Sequence, residues 1–244
     1  MATPRFYCSS PLAAHQTLEL PPELAHHAIR VLRLKTGTAI VLFDGLGGQY
    51  PATLLIEGKK GLASVGEHQS VEVELPGEIT LIQGIPSGDK MDWIIEKAVE
   101  LGAARIIPIA AQRSVLQLSG ERLSKRQCHW ERIALSASEQ CGRNRIMAVD
   151  PVLSLPQFFS QFDLAQQKTL FCHPEAQQNM TQALALNDKK ISLLVGPEGG
   201  WSVEEQALVT RQGITPVKFG ERVLRTETAG LALIAATSAL LHWN

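Results

Sequence analysis

The chain is 244 residues long, 45% hydrophobic and 19% charged, with a formal net charge of −1 from 23 Lys and Arg against 24 Asp and Glu. This composition excludes disorder and a globally basic binder of nucleic acid, while the length suits one large domain or two unequal ones. The longest weakly polar stretch, Ala229 to Leu241, is shorter than the roughly 20 residues of a membrane span, and no secretory signal is readable, so a cytoplasmic location is expected.

From the N-terminus to about residue 72, "TAIVLFDG", "QYPATLLIEG" and "LASVGE" are short β-branched and apolar runs punctuated by glycine, the pattern of strands and turns. A helix from Pro22 to about Leu32 interrupts them and places Arg30 and Arg33, three apart, on one face. Asp44-Gly45 reads as a hairpin turn, because Pro51 and strand-forming residues follow where a dinucleotide-binding glycine loop would open a helix. A small β-barrel over residues 1–72 fits these signals. Ser70 to Glu78, with alternating charges and a Pro-Gly pair, marks the boundary to a second domain over residues 73–244.

From Ile79 onward strands and helices alternate. Candidate strands are residues 79–85, 104–110, 168–173, 191–196 and 216–220, near-continuous apolar runs that suit parallel strands covered on both faces. "GIPSGDK" (84–90) has the wrong spacing for a phosphate-binding loop and Met91 where a hydroxyl should bind the metal ion, so it receives no nucleotide role. Asp89, with Asp92 three residues on, is placed to cap a helix striped by Met91, Ile94, Ile95, Ala98 and Leu101 and ended by Gly102. A second helix runs from about Glu121 to Cys141, ended by Gly142, and Ser202 with Glu205 forms a capping box for a third. Trp93 and Trp130 fall on apolar helix faces and are expected in the core. Cys8, Cys128, Cys141 and Cys172 form no C-x-x-C pair, so they read as reduced thiols, with no structural zinc and no disulfide framework. The alternation predicts a parallel-sheet α/β domain.

Charge is unevenly spread. Arg105, Arg113, Arg122, Lys125, Arg126, Arg132, Arg143 and Arg145 face only Glu121, Glu131 and Glu139 in the same stretch, which makes one face locally positive. Two later segments exceed ordinary packing. In "LLVGPEGGWS" (193–202) a buried strand runs into three glycines that let backbone groups approach a ligand. In "FGERVLRTETAGLALIAATSALL" (219–241) a charged bend precedes a helix too apolar for a surface.

"GPEGG" and "LRTETA", with "KMDWIIEKAVELG" (90–102), "EQCGRNR" (139–145), "PRFY" (4–7) and "HHAIRVLRLKTG" (26–37), resemble the RsmE family of bacterial 16S rRNA (uracil-N3) methyltransferases over nearly the whole chain. The resemblance implies a SPOUT-class α/β enzyme: a C-terminal parallel-sheet domain with a deep trefoil knot, a smaller N-terminal PUA-like β-barrel for RNA, and a homodimer. It implies S-adenosylmethionine as methyl donor without a metal, and a uridine in the decoding region of 16S rRNA, within the small ribosomal subunit, as acceptor. The family's donor loops carry onto Phe171, His173, Gly196, Pro197, Glu198, Gly199, Gly220, Leu224, Arg225 and Thr226.

Uracil N3 must lose a proton, and charge developing on O2 and O4 needs donors. Asn144 is expected to hold the uracil edge and Arg145 or Arg225 to stabilise the charge, with Glu139 and Glu198 as candidate bases beside proton loss to water. Arg5, Arg30, Arg33, Arg113 and Arg143 are candidate phosphate contacts. The glycine bends report the donor and not the acceptor atom. A 2′-O-ribose methyltransferase of the same class and a non-catalytic assembly protein therefore stay open.

Overall fold

A computed structural model describes residues 3–58, 60–114 and 120–243. The chain divides into two compact units, one running to Glu74 and including Ser138–Ile146, the other formed by Leu75–Ala137 and the residues from Met147 onward.

The first unit contains β1 (Arg5–Tyr7), β2 (Thr17–Glu19), α1 (Pro22–His26) continued by a π-helical turn (His27–Val31), β3 (Ala39–Phe43), β4 (Tyr50–Glu57) and β5 (Lys60–Val65). The sheet order is β1-β3-β4-β5-β2, with β1 parallel to β3 and the other pairs antiparallel. Alternate residues point inward: Ile40 and Leu42 of β3, Ala52 and Leu54 of β4, and Ala63 and Val65 of β5 meet Leu24 and Ala28 in one apolar core. Pro22 opens α1, where its missing N–H costs nothing.

Arg33 corrects the expected helix face. The Leu32 amide bonds back to the His27 carbonyl and the Leu34 amide to that of Ala28. Arg33, at φ +54°, therefore lies beyond the helix end and shares no helix face with Arg30. Asp44-Gly45 does turn the chain between β3 and β4, with the Leu46 amide bonded to the Asp44 carboxylate, but the loop continues to Gln49 before β4 begins.

The second unit contains β6 (Glu78–Gly84), α2 (Lys90–Glu100), β7 (Arg105–Ile109), α3 (Gly120–Cys141, whose end folds with the first unit), β8 (Ala148–Val149), α4 (Leu155–Gln161), β9 (Lys168–Cys172), α5 (Met180–Ala183), β10 (Lys190–Val195), α6 (Val203–Arg211), β11 (Thr215–Val217) and α7 (Thr226–Leu240). Its six strands pair in parallel in the order β11-β9-β10-β6-β7-β8. The late strand β10 thus lies in mid-sheet between β9 and β6, which explains its unbroken buried run Ile191–Val195. Helix α7 packs on α2 and on β10, and Trp243 lies so close to Gly77 that any side chain there would strike the indole ring.

Two local expectations are also corrected. Asp89 stands at the start of α2 but makes no capping hydrogen bond among the described residues; its carboxylate pairs with Arg126 at 3.0 Å. Trp93 is 52% exposed, its ring covered only in part by the Lys97 ammonium 4.8 Å from the centroid. Trp130 is fully buried, because its indole N–H donates to Asp92 at 3.1 Å and so satisfies the one polar atom that burial would strand.

Candidate functional site

Strands β11, β9 and β10 are neighbours, and the loops leaving their C-terminal ends enclose a cavity of about 540 Å³. Such crevices beyond the carboxyl ends of parallel strands are where open α/β sheets bind ligands. Each wall has a local cause. After β10 the chain turns through Gly196 and Pro197 against the end of β6, where a Cβ on Gly84 would stand 2.5 Å from Pro197 Cδ. Ser202 and Glu205 then form a reciprocal capping box that fixes where α6 begins, and Glu205 also accepts the Gln112 amide at 3.0 Å. After β11, Gly220 (φ +69°) reverses the chain, Lys218 pairs with Glu221 at 2.8 Å, and Arg225 presents its carbonyl to the Thr228 and Ala229 amides at the start of α7.

Two polar clusters hold these loops. The Thr226 hydroxyl donates to the Gly196 carbonyl at 2.6 Å and accepts from Gln83 Nε2 at 2.9 Å, while the same nitrogen donates to the Gly84 carbonyl at 2.9 Å. Glu198 accepts from Lys90 Nζ at 2.6 Å, from the Ser87 hydroxyl at 2.7 Å and from the Ser87 amide at 3.1 Å. Desolvation works against ionisation of Glu198, but the Lys90 and Ser87 hydrogen bonds outweigh it and hold the carboxyl at about 2. A group so acidic is a poorer proton acceptor at neutral pH than an ordinary carboxylate. Cys172 lines the cavity as a thiol, since burial pushes it up to about 11.

The residues expected at the donor site divide accordingly. His173, Gly196, Pro197, Glu198, Gly220, Leu224, Arg225 and Thr226 all line the cavity. Arg113, expected at phosphate, also lines it and donates to the Gly199 carbonyl at 3.3 Å. Gly199 itself is outside the lining, and Phe171 is buried in the core behind His173, the ring centroids 5.4 Å apart. Lys218 and Arg222 line the cavity without having been expected there, and Trp201, a tryptophan able to stack on a base, lines it too. Arg222 lay inside "GERVLRTE", so there the signal was the segment and not the individual position.

The other expected residues gather in the first unit. Arg5 donates to Asn144 Oδ1 at 2.6 Å, to Gln49 Oε1 at 2.5 Å and to the Gly142 carbonyl at 3.2 Å. Asn144 is fully buried and spends its amide nitrogen on the Val71 carbonyl at 2.6 Å. Arg143, 4% exposed, forks onto Glu74 through Nε at 2.9 Å and Nη2 at 2.5 Å. These bonds fasten Arg5, Arg143 and Asn144 within the first unit; Arg5 remains half-buried, and the expected roles at phosphate and at the uracil edge stand as proposals beside these internal bonds. Glu139 accepts the Tyr7 amide at 2.8 Å, and burial raises its carboxyl against the opposing effects of that amide and Arg5. Arg145 is exposed, 3.7 Å from Glu72, and Arg30 and Arg33 are exposed. Among the described residues no group of three or more His, Cys, Asp or Glu could hold a metal ion, and no helix is long and apolar enough to cross a membrane.

Residues 73–238 match a family model described as an RNA methyltransferase domain, and residues 20–65 one described as an RNA methyltransferase PUA domain. Ribosomal RNA small subunit methyltransferase E of Bacillus subtilis is 33% identical over 233 residues, 91% of this chain and 90% of that protein. Its namesake from Mycobacterium bovis is 34% identical over 223 residues, covering 89% and 85%. The Neisseria gonorrhoeae protein of that name, solved with bound S-adenosyl methionine, superimposes with a TM-score of 0.90 at 35% identity over 98% of each chain. A Legionella pneumophila protein solved with the same cofactor gives 0.92 at 32% identity, again over 98% of each chain.

Proposed function

The chain belongs to the ribosomal RNA small subunit methyltransferase E family, and from that membership we propose that it transfers the methyl group of S-adenosylmethionine to N3 of a uridine in the decoding region of 16S rRNA. The observation that carries the reading is the cavity at the ends of β9, β10 and β11. Its volume of about 540 Å³ falls within the roughly 300–1,000 Å³ of small-molecule and cofactor sites. Its walls combine backbone of the Gly196 and Gly220 bends with apolar Pro174, Val195 and Leu224, which suits a ligand with a flat base and a polar tail.

When bound there, the donor supplies an electrophilic methyl group, and the transfer is an in-line displacement in which the protein chiefly aligns the partners. His173, Gly196, Pro197, Gly220 and Leu224 would hold it, with Phe171 and Gly199 supporting the walls from behind. Arg225, the catalytic candidate that lines the cavity, would stabilise charge developing on the uracil oxygens. Asn144 acts through Arg5 as a positioning residue of the first unit. Glu198, held at about 2 by Lys90 and Ser87, is the poorer proton acceptor, so Glu139 and water are the remaining acceptors for the N3 proton. Arg30, Arg33 and Arg145 are exposed and available to phosphates, and Arg113 at the cavity is a further candidate.

The reading includes the homodimer and the deep trefoil knot. The bonding of α7's first residue to Gly196 and Gln83 supports a late chain segment held inside earlier loops. Labelled donor with 16S rRNA or small subunits, followed by nucleoside mass spectrometry, tests the reaction. N3-methyluridine is the expected product; a ribose-methylated nucleotide would transfer the assignment to the 2′-O class, and no labelled nucleoside would remove it.

A further inference from the structure

Residues 83–90, the strand end and loop that carry no nucleotide-binding pattern, bond to residues that line the donor cavity: Gln83 to Thr226, and Ser87 and Lys90 to Glu198. Gln83, fully buried at the end of β6, is the centre of these contacts. Carbonyl oxygens only accept, so the Gly84 carbonyl fixes the nitrogen end of the Gln83 amide, and the Gly196 carbonyl fixes the direction of the Thr226 hydroxyl. The resulting chain runs one way: Gln83 Nε2 to Thr226 Oγ1 at 2.9 Å, then Thr226 Oγ1 to the Gly196 carbonyl at 2.6 Å. It joins the bend after β10 to the bend before α7, two of the segments that line the cavity.

The remaining end of Gln83 is informative. Oε1 is buried and has no hydrogen-bond partner among the described residues, and it faces Gly230 of α7, where a Cβ would approach to 3.1 Å. A buried acceptor left unpaired is unfavourable for folding. The amide is thus held at its nitrogen end alone, by the Gly84 carbonyl and the Thr226 hydroxyl, and those two bonds fix its orientation toward Thr226.

We propose that Gln83 is a positioning residue for methyl transfer, setting the distance between the Gly196 and Thr226 walls of the donor cavity through the Thr226 hydroxyl. The inference rests on the donor reading above. Gln83 touches neither donor nor RNA in this assignment; it acts through Thr226 and Gly196.

Calorimetry with S-adenosylmethionine on the full chain, alongside thermal unfolding of the donor-free protein, provides the test. Gln83→Met and Thr226→Val each remove two buried hydrogen bonds, among them the one the two residues share, and should each weaken donor binding roughly 3- to 10-fold. Thr226→Ser, which keeps the hydroxyl, should bind like the unsubstituted protein. The double variant Gln83→Met with Thr226→Val should be no weaker than the poorer single variant, because both break one chain. Should Gln83→Met fail to fold, Thr226→Val against Thr226→Ser decides alone. Folded variants that bind like the parent, or a double variant whose losses multiply, overturn the proposal and leave the donor reading standing. A lowered melting temperature with unchanged affinity would make the chain merely structural and overturn it too. Absence of binding by the unsubstituted protein overturns the donor reading and this one with it.

Discussion

Glu198 keeps its charge because Lys90 and Ser87 surround it with donors, and that arrangement sets its pH behaviour. A carboxyl depressed in the folded state adds stability that is present above its unfolded value of about 4.3 and lost as pH falls through the folded value, here about 2. The loop tie is therefore complete across the neutral range and fails only in strong acid. Lys90→Met should move the Glu198 titration, followed by carboxylate NMR, upward toward the ordinary range; an unmoved midpoint would remove Lys90 as the cause. Asn144 gives a second residue-scale expectation. Truncation to alanine strands the Val71 carbonyl and takes one of several acceptors from the Arg5 guanidinium, which should cost about 1–3 kcal/mol and lower the melting temperature by several degrees. A variant with reduced turnover but unchanged melting would restore Asn144 as a catalytic group. Periodicity could not reveal these roles. Arg5 and Asn144 are 139 positions apart, and nothing local in either segment marks the other as its partner.

The loops around the cavity follow from the elements that end there. Gly84 is where β6 lets the next loop come near, so Gly84→Ala should push Pro197 aside and cost about 1–3 kcal/mol as an overpacked site does. Donor affinity, measured by calorimetry, should fall with it; unchanged affinity would show that the Gly196–Pro197 bend tolerates displacement. The central strands were legible because β6, β7, β9 and β10 are near-continuous apolar runs, a pattern few other settings produce. The two-residue β8 and the four-residue α5 were not, since pieces that short carry no measurable period. Trp93 misled for a related reason. An apolar residue beside the stripe of an amphipathic helix lies at the margin of burial, and only the width of the packed neighbour decides which side it falls on. At the cavity the glycine-rich and charged bends were readable as segments, while the side chains they turn inward depended on the bend geometry after Gly220.

At the scale of the molecule, the proposed RNA contacts Arg30 and Arg33 belong to the first unit and the proposed donor site to the second. Changing both arginines to alanine should reduce the salt dependence of RNA binding by about two phosphate contacts' worth of slope, with donor affinity unchanged. An unaltered slope would remove them from the RNA surface. The composition of the first unit has a consequence for synthesis. Its residues up to Glu74 emerge from the ribosome early, but the Asn144 partner of Arg5, the Glu139 acceptor for the Tyr7 amide and the Arg143 partner of Glu74 emerge only after some sixty intervening residues. At the roughly 5–20 residues per second of translation, the nascent barrel waits for several seconds with these polar groups open to solvent. A fragment ending at Glu74 should accordingly unfold with weak cooperativity and exchange its Tyr7 amide freely, and one ending at Ile146 should protect it.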